Sequence, residues 1–479
     1  MLKRADLYIN GQWSPPSVDD VFKVVNPATE EVVGTVPAAR EADADAAVAA
    51  AQAAFERWST TPAYERAAWL EKIHVELEKR MAEMTDLITR ELGMPRKLTG
   101  MIQVGLPLSI LASYVNHARS YAFEERIGHS LVVKEAAGVV AAITPWNYPL
   151  LQVIAKVAPA LAAGCTVVLK PSEVTPLSAF LLADVVHQIG LPAGVFNLVS
   201  GSGAVVGERI ASHDEVDVVS FTGSTAAGKR VAELAARGVK RVALELGGKS
   251  PSVILDDADL KEAVKGTVKA CFVNSGQTCN AWTRMLVHES RYEEAVQIAV
   301  ETAKKFVPGD PLDEKTRLGP LVSKRQYDRV IDYIRRGIQE GASLLLGGEA
   351  PAGLQRGFFV QPTLFGRVTP DMTIAREEIF GPVLSIMTYE TENEAVALAN
   401  ATPYGLAGGV WSNDAERAMS VARRLRCGQV DINGAPYNNE APFGGYRQSG
   451  YGREMGKYGL EEFLEIKAIQ LPQGRRRTD

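Results

Sequence analysis

Between Gly138 and Leu246 the chain alternates two kinds of apolar segment. Gly138–Ile143, Thr166–Leu169, Val195–Val199, Val216–Phe221 and Arg241–Leu246 are short and largely apolar throughout. Such runs read as strands covered on both faces. Leu150–Ala163, Pro176–Ile189, Gly203–His213 and Ser224–Arg237 lie between them and are long enough for helices. Strands and helices in this order predict a parallel sheet with helices on both sides. Ligands in such sheets bind beyond the carboxyl ends of the strands.

Before this block the pattern is mixed. Leu7-Tyr8-Ile9 and Phe22–Val25 are β-type runs, and Asn10-Gly11 signals a hairpin turn. Glu41–Trp58 is alanine-rich and helical. Thr61 is expected as an N-cap with Pro62 at the first helical position, the helix running to Leu92, where Gly93-Met94-Pro95 stops it. A further helix is expected over 100–120, and a β-hairpin arm over 127–136. The alternation returns more loosely over 252–430. Ser252–Leu255 and Arg284–Val287 read as strands, 291–306 and 323–341 as helices, and Phe380-Gly381-Pro382-Val383 leads into another strand. Residues 434–453 are glycine-rich, and Leu464–Leu471 is the last strand-like run. The fold class expected is α/β: two doubly wound parallel-sheet domains, one Rossmann-like, plus a β arm.

Composition narrows the function. Hydrophobic residues make up 46% and charged residues 23% of 479, an ordinary globular balance. A net charge of −5 without a dense basic stripe argues against nucleic acid as a partner. Arg475-Arg476-Arg477 reads as a solubilising tail. No uninterrupted apolar run approaches the roughly 20 residues of a membrane span, and no apolar run of about 7–15 residues follows Met1–Asp6. The four cysteines show no paired spacing, which suits a reducing compartment; a cytoplasmic location is the expectation. Six scattered histidines form no H-x-x-x-H pair, and no C-x-x-C is present, so no metal site is expected.

Candidate chemistry gathers at the strand ends. Gly138–Ile143 is followed by Thr144-Pro145-Trp146-Asn147-Tyr148-Pro149. Asn147 could donate to a developing oxyanion or cap the next helix. Lys170-Pro171-Ser172-Glu173 suits a ribose or phosphate, or is an ordinary βα loop. Gly201-Ser202-Gly203 with Gly207 is one residue off a dinucleotide fingerprint and weak. Phe221-Thr222-Gly223-Ser224-Thr225 places small residues and a helix N-terminus where a pyrophosphate could sit. Glu245, between Leu244 and Leu246 and before Gly247-Gly248-Lys249, is either a partly desolvated general base or simply paired with a nearby lysine. Cys165, Cys271 and Cys427 have apolar neighbours and read as core. Cys279 differs, standing in the polar turn Asn274-Ser275-Gly276-Gln277-Thr278-Cys279-Asn280-Ala281. Without a persuasive histidine motif, a cysteine protease is disfavoured. Glu377-Glu378-Ile379-Phe380-Gly381-Pro382 and the aromatic loop Pro442–Gly450 complete the set.

Pro145-Trp146-Asn147, Phe221-Thr222-Gly223-Ser224, Leu244-Glu245-Leu246-Gly247-Gly248-Lys249, Gly276-Gln277-Thr278-Cys279 and Glu378-Ile379-Phe380-Gly381-Pro382, in this order, resemble the aldehyde dehydrogenase superfamily from about Ile9 to Leu464. The resemblance implies that Cys279 attacks the aldehyde, Asn147 and the Cys279 N–H hold the oxyanion, and Glu245 activates the hydrolytic water. It implies a dinucleotide held by Thr144, Trp146, Lys170, Ser172, Glu173, Gly223, Ser224, Leu246, Gln326, Glu378 and Phe380. Glu173 would accept both ribose hydroxyls and repel a 2′-phosphate, so NAD is expected, with NADP possible if Lys170 compensates. Tyr148, Gln152, Ala155, Thr278, Asn280, Tyr437 and Phe443 would line the aldehyde channel. With no arginine or lysine among them, a neutral aromatic or medium aliphatic aldehyde is expected; a semialdehyde or a CoA-acylating reaction is the alternative. The expected division is 1–124 and 137–248 for the cofactor, 249–450 for catalysis, and 125–136 with 451–479 as oligomerisation arm and tail. A homodimer or homotetramer follows.

Overall fold

Apolar strands that alternate with helices fold here into two large sheets. A computed structural model describes residues 1–472; the Arg475–Arg477 cluster lies outside the described residues. The first sheet has eight strands in the order Gly450–Tyr451, Arg241–Glu245, Val218–Thr222, Val139–Ile143, Thr166–Lys170, Phe196–Leu198, Leu7–Ile9 and Gln12–Ser14. Its five central strands are parallel. The chain leaves Val139–Ile143 toward one side of the sheet and later returns to its other side with Val218–Thr222. The connections leaving the carboxyl ends of these two paired strands therefore run to opposite sides, which marks the crevice expected at such a switch point. Every residue of Val139–Ile143 is buried, and a buried Val or Ile contributes about 1.5–3 kcal/mol over an exposed one.

The second sheet has seven strands, in the order Ser343–Leu346, Thr363–Gly366, Val383–Tyr389, Arg284–His288, Pro251–Ile254, Ala407–Trp411 and Gln429–Ile432. All its pairings are parallel except that of the edge strand Ser343–Leu346. A small sheet joins Glu124–Ile127, Ser130–Ala136 and Leu464–Gln470 in antiparallel register, which is the expected arm. Gly450–Tyr451 crosses back to pair with Leu244 and Glu245. That pairing pins the glycine-rich C-terminal loop to the strand carrying Glu245.

Several local expectations change. Asn10 and Gly11 both take positive φ in the tight turn joining Leu7–Ile9 to Gln12–Ser14, as the hairpin signal requires. Thr61 is not an N-cap: its hydroxyl donates to the Arg57 carbonyl, 3.0 Å away, and closes the preceding helix. Pro62 takes the cap position of the helix Ala63–Lys79 instead. The helix expected to run on to Leu92 breaks at Arg80 and restarts as Met81–Leu92, ending at Gly93 in the left-handed region. The segment Arg96–Ser120 is helical, long and apolar enough to cross a membrane by composition, but 56% of its most apolar window is buried inside the protein. It packs against Ala63–Lys79 and Pro149–Ala163 as a core helix. Its stretch Thr99–Gly105 winds as a π-helix, and Gly203–Gly207 does the same before the short helix Glu208–Ser212. Cys165 and Cys271 are core, as expected, but Cys427 is only partly buried.

Candidate active site

The turn that carries Cys279 is held in an unfavourable backbone conformation. Asn274 (φ 51°), Ser275 (φ 57°) and Gly276 (φ 74°) are consecutive left-handed residues after the helix Leu260–Phe272. Each non-glycine residue there costs on the order of 1–3 kcal/mol. A Cβ on Gly276 would collide with the Gly381 carbonyl, so only glycine fits. Buried hydrogen bonds offset the strain. Ser275 Oγ donates to the Gly319 carbonyl (2.8 Å), Gln277 Nε2 to the Asn274 carbonyl (2.9 Å), and Val322 N–H to Gln277 Oε1 (2.9 Å).

The same network reaches Asn147. Its Nδ2 donates to the Gln277 carbonyl across 3.0 Å, which holds the amide two residues from Cys279. Its own carbonyl accepts from Gln103 Nε2 (3.0 Å) and Asn274 Nδ2 (2.9 Å). The helix Pro149–Ala163 is capped at Tyr148 without any side-chain bond, so Asn147 is not a cap. Tyr148 donates to Thr278 Oγ1 at 2.7 Å, because that hydroxyl already gives its proton to the Val273 carbonyl at 3.3 Å. Burial pushes the Tyr148 phenol well above its usual range.

Glu245 ends its strand buried, and neither carboxylate oxygen has a hydrogen-bond partner. The lysine pairing considered for it is absent. Gly444 lies so close that a Cβ there would sit 2.7 Å from Oε1. Burial raises the Glu245 pKa well above the carboxylate range, and the Glu454 charge raises it further; Lys156 and Arg453 oppose. Lys156 and Glu454 form a buried ion pair of 2.5 Å beside it, with Glu454 Oε2 left unpartnered. Sequence reasoning missed this pair. The available signal was a lone charge, Lys156, inside the otherwise uncharged helix Pro149–Ala163. Gln103 was missed as well, because its role depends on the π-helical turn that aims it. The Cys279 thiol is pushed well up by burial, then by the charges of Glu378 and Glu245, while the Asn280 backbone N–H lowers it.

Thr144, Trp146, Lys170, Ser172, Glu173, Gly223, Ser224 and Leu246 stand at or just beyond the carboxyl ends of the first sheet's parallel strands. Trp146 and Phe380 meet edge to face with centroids 5.3 Å apart. Lys170 Nζ lies 3.4 Å from Glu173 Oε2; burial lowers the lysine pKa and Glu173 raises it. Ser172 Oγ accepts from Val174 N–H (3.3 Å) and Ser224 Oγ from Ala227 N–H (3.3 Å), so both serve as local caps. Glu378 Oε1 accepts from Gly248 N–H at 3.1 Å. A Cβ on Gly247 would strike that carboxylate, whose pKa burial raises to about 7. Gln326 Nε2 donates to the Phe380 carbonyl at 2.7 Å and braces the turn. Leu246 packs over Gly228. The buried hydroxyls of Thr144 and Thr222 have no partner. Unused donors, a half-buried carboxylate without a cation on it, and the exposed start of the helix Thr225–Ala236 fit a polar, anionic dinucleotide.

The channel expectations divide. Tyr148 and Thr278 are bonded to each other, and Asn280 adjoins the thiol. Tyr437 is exposed, and the charges of Glu454, Cys279 and Glu245 raise its pKa after the larger effect of desolvation. Ala155 and Phe443 are buried in the core cluster against which Cys279 packs. Gln152 is buried with Oε1 unpartnered.

Known proteins resemble this chain over nearly its whole length. The Aldehyde dehydrogenase family description matches residues 13–469. A 3-succinoylsemialdehyde-pyridine dehydrogenase from Pseudomonas sp is 52% identical over 98% of this chain and 99% of its own length. A cysteine-to-alanine variant of an aldehyde dehydrogenase from Pseudomonas syringae, solved with NAD+ and octanal, superposes with a TM-score of 0.96 at 49% identity, covering 97% of this chain and 96% of that one. An aldehyde dehydrogenase from Mycobacterium tuberculosis with NAD+ gives a TM-score of 0.97 at 43% identity, over 99% of both chains. The chain belongs to the aldehyde dehydrogenase family.

Proposed function

We propose that this protein oxidises a neutral aromatic or medium aliphatic aldehyde to its carboxylic acid, with NAD as cofactor. The observation that carries the chemistry is the buried convergence of Asn147, the Cys279 turn and the unpartnered carboxylate of Glu245. Cys279 Sγ, as the thiolate left once its proton has passed to water, adds to the aldehyde carbon, and Asn147 Nδ2 with the Cys279 N–H stabilises the oxygen that becomes anionic. Fixed donors of this kind typically contribute about 10²–10³ in rate. NAD, when bound, supplies a cationic ring that accepts hydride from the adduct carbon. Lys170 and Glu173 would hold the adenosine ribose, Ser224 the pyrophosphate, Glu378 the nicotinamide ribose, and Trp146 and Phe380 would flank the ring. The remaining thioester is opened by water. Glu245 takes the water proton, and Cys279 leaves as the acid forms. A raised Glu245 pKa makes it a competent base near neutral pH.

Two observations support a neutral substrate, and a third keeps the alternative open. No arginine or lysine occurs among Tyr148, Gln152, Ala155, Thr278, Asn280, Tyr437 and Phe443. The Pseudomonas syringae structure holds octanal. The curated Pseudomonas relative is named for a semialdehyde that carries a pyridine, which keeps a semialdehyde as the second reading. A CoA-acylating reaction has no use for Glu245. Values of kcat/KM for benzaldehyde, hexanal and succinic semialdehyde test the proposal: the first two are expected to lead, and a clear preference for succinic semialdehyde overturns the neutral assignment. The eight-stranded sheet is proposed to form the cofactor domain, the seven-stranded sheet the catalytic domain, and the Ser130–Ala136 and Leu464–Gln470 pair the arm of a homodimer or homotetramer.

A further inference from the structure

Behind the segment that carries Glu245 lies a second polar pocket with the opposite charge. Gly247 faces Glu378, whereas a Cβ on the next residue, Gly248, would meet the Cys279 carbonyl and then Leu406, which lines this second pocket. The pocket is lined by Lys249, Ser250, Arg284, Tyr404, Arg426 and Arg447 among others, and no carboxylate is among its lining residues. Lys249 and Ser250 form its buried end, each 2% exposed, while Arg426 and Arg447 stand at the surface. Lys249 Nζ and Ser250 Oγ have no hydrogen-bond partner. Both are strong donors, and a buried ammonium without a partner is costly. Arg284 cannot be neutralised from within the pocket either. Its three nitrogens donate to the carbonyls of Lys249 (2.9 Å), Leu398 (2.7 Å) and Ala399 (2.7 Å).

The four cations disturb one another. Burial and then Arg284 lower Lys249 to about 7, against smaller opposing effects from Cys271, Glu378 and Glu377. Burial and then Arg447 lower Arg284 to about 9. Burial and then Arg426 lower Arg447 in turn. A row of like charges that ends on an unpartnered ammonium and hydroxyl is complementary to an anion. The free volume is about 10 Å³, the space that one water-sized or monatomic occupant needs. An oxyanion such as phosphate is too large for it.

We propose that this pocket is a binding site for a monatomic anion of the halide class, held by Lys249 Nζ and Ser250 Oγ and attracted by Arg284, Arg426 and Arg447. The site is independent of the aldehyde chemistry and of the identity of the substrate. Its occupant neutralises the buried Lys249 ammonium, which has no partner among the described residues.

Crystals of the full-length protein grown in sodium bromide test it through the anomalous signal of bromide. A peak within about 3.5 Å of Lys249 Nζ is expected, together with its loss in Lys249→Met. In solution, exchanging gluconate for chloride at about 100 mM and matched ionic strength is expected to raise the melting temperature by about 1–2 °C in the wild type and not in Lys249→Met. Should Lys249→Met fail to fold, Arg426→Gln, altered only at the exposed rim, is expected to weaken the halide midpoint by about threefold. Absence of a bromide peak, a peak that persists in Lys249→Met, or equal melting temperatures in chloride and gluconate overturns the proposal.

Discussion

Two buried clusters of opposite sign adjoin the short segment Leu246–Lys249. In front, the charges of Glu378, Glu245 and Glu454 act on the Cys279 thiol, and Lys156 is buried in an ion pair with Glu454. Behind, Lys249 and Arg284 are buried with Arg426 and Arg447 at the rim, and no carboxylate lines the space. The front pocket raises the proton affinities of Glu245, Glu378 and the Cys279 thiol. The rear pocket lowers them. Burial alone disfavours charge of either sign, and the like-signed neighbours amplify it in each place. The difference is one of use: an acid-rich pocket suits a reaction that generates and moves protons, whereas a base-rich one suits the holding of an anion.

The largest expected effect breaks the front pocket at its nucleophile. Cys279→Ala is expected to abolish both the rapid burst of NADH and steady-state turnover, measured by stopped-flow absorbance, because no covalent adduct forms. Residual activity within tenfold of wild type would remove Cys279 from the mechanism. Glu245→Gln separates the two half-reactions. The burst is expected to survive while steady-state turnover falls by about 10²–10⁴, the usual contribution of a general base. Equal loss of both phases would argue against a role in opening the thioester.

The ion pair is the next point of attack. Lys156→Met strands Glu454 as an uncompensated buried carboxylate, at a cost of about 3–5 kcal/mol. A large fall in melting temperature is expected, with recovery in the Lys156→Met/Glu454→Leu double variant, which leaves no charge behind. Glu454→Gln has a smaller and more informative effect. It removes the charge that raises Glu245 and leaves Lys156, which lowers it. The acid limb of the kcat profile is therefore expected to move to lower pH, and a move to higher pH would contradict the electrostatic reading.

How legible these pockets were in the sequence depended on whether a residue's role is local. The parallel strands and the residues at their carboxyl ends were readable because an apolar run and the turn after it are contiguous. Asn147, Glu245 and Cys279 could be singled out that way, although their alternative roles stayed open until their partners were known. Lys156 and Glu454 are 298 positions apart and meet only because the glycine-rich loop folds back on the strand of Glu245. No periodicity reports such a contact. The rear pocket was hidden for the same reason: Lys249 was noted only as the end of a motif, and its isolation depends on Arg284, Arg426 and Arg447 from other elements. Thr61 and Pro62 failed differently, since cap and first helical position differ by a single residue and the preceding helix claimed the threonine hydroxyl.

The smallest expected effect sharpens the contrast between the two buried lysines. Lys156 is paired with the Glu454 carboxylate, whereas Lys249 has no carboxylate partner and titrates near 7, against 10.5 for an ordinary lysine. Between those pH values the unfolded chain holds a proton that the folded protein does not. Stability therefore gains from this group as pH rises through the window, by up to about 1.4 kcal/mol per pH unit, and the penalty is fully present below pH 7. Lys249→Met removes the titrating group without leaving an unpaired carboxylate. Measured without halide, its melting temperature is expected to equal or exceed that of the wild type at pH 7, and the advantage is expected to shrink as the pH rises toward 10. A loss of stability at pH 7 as large as that of Lys156→Met would mean that the rear lysine has a protein partner after all, and that the two pockets do not differ in the way their linings suggest.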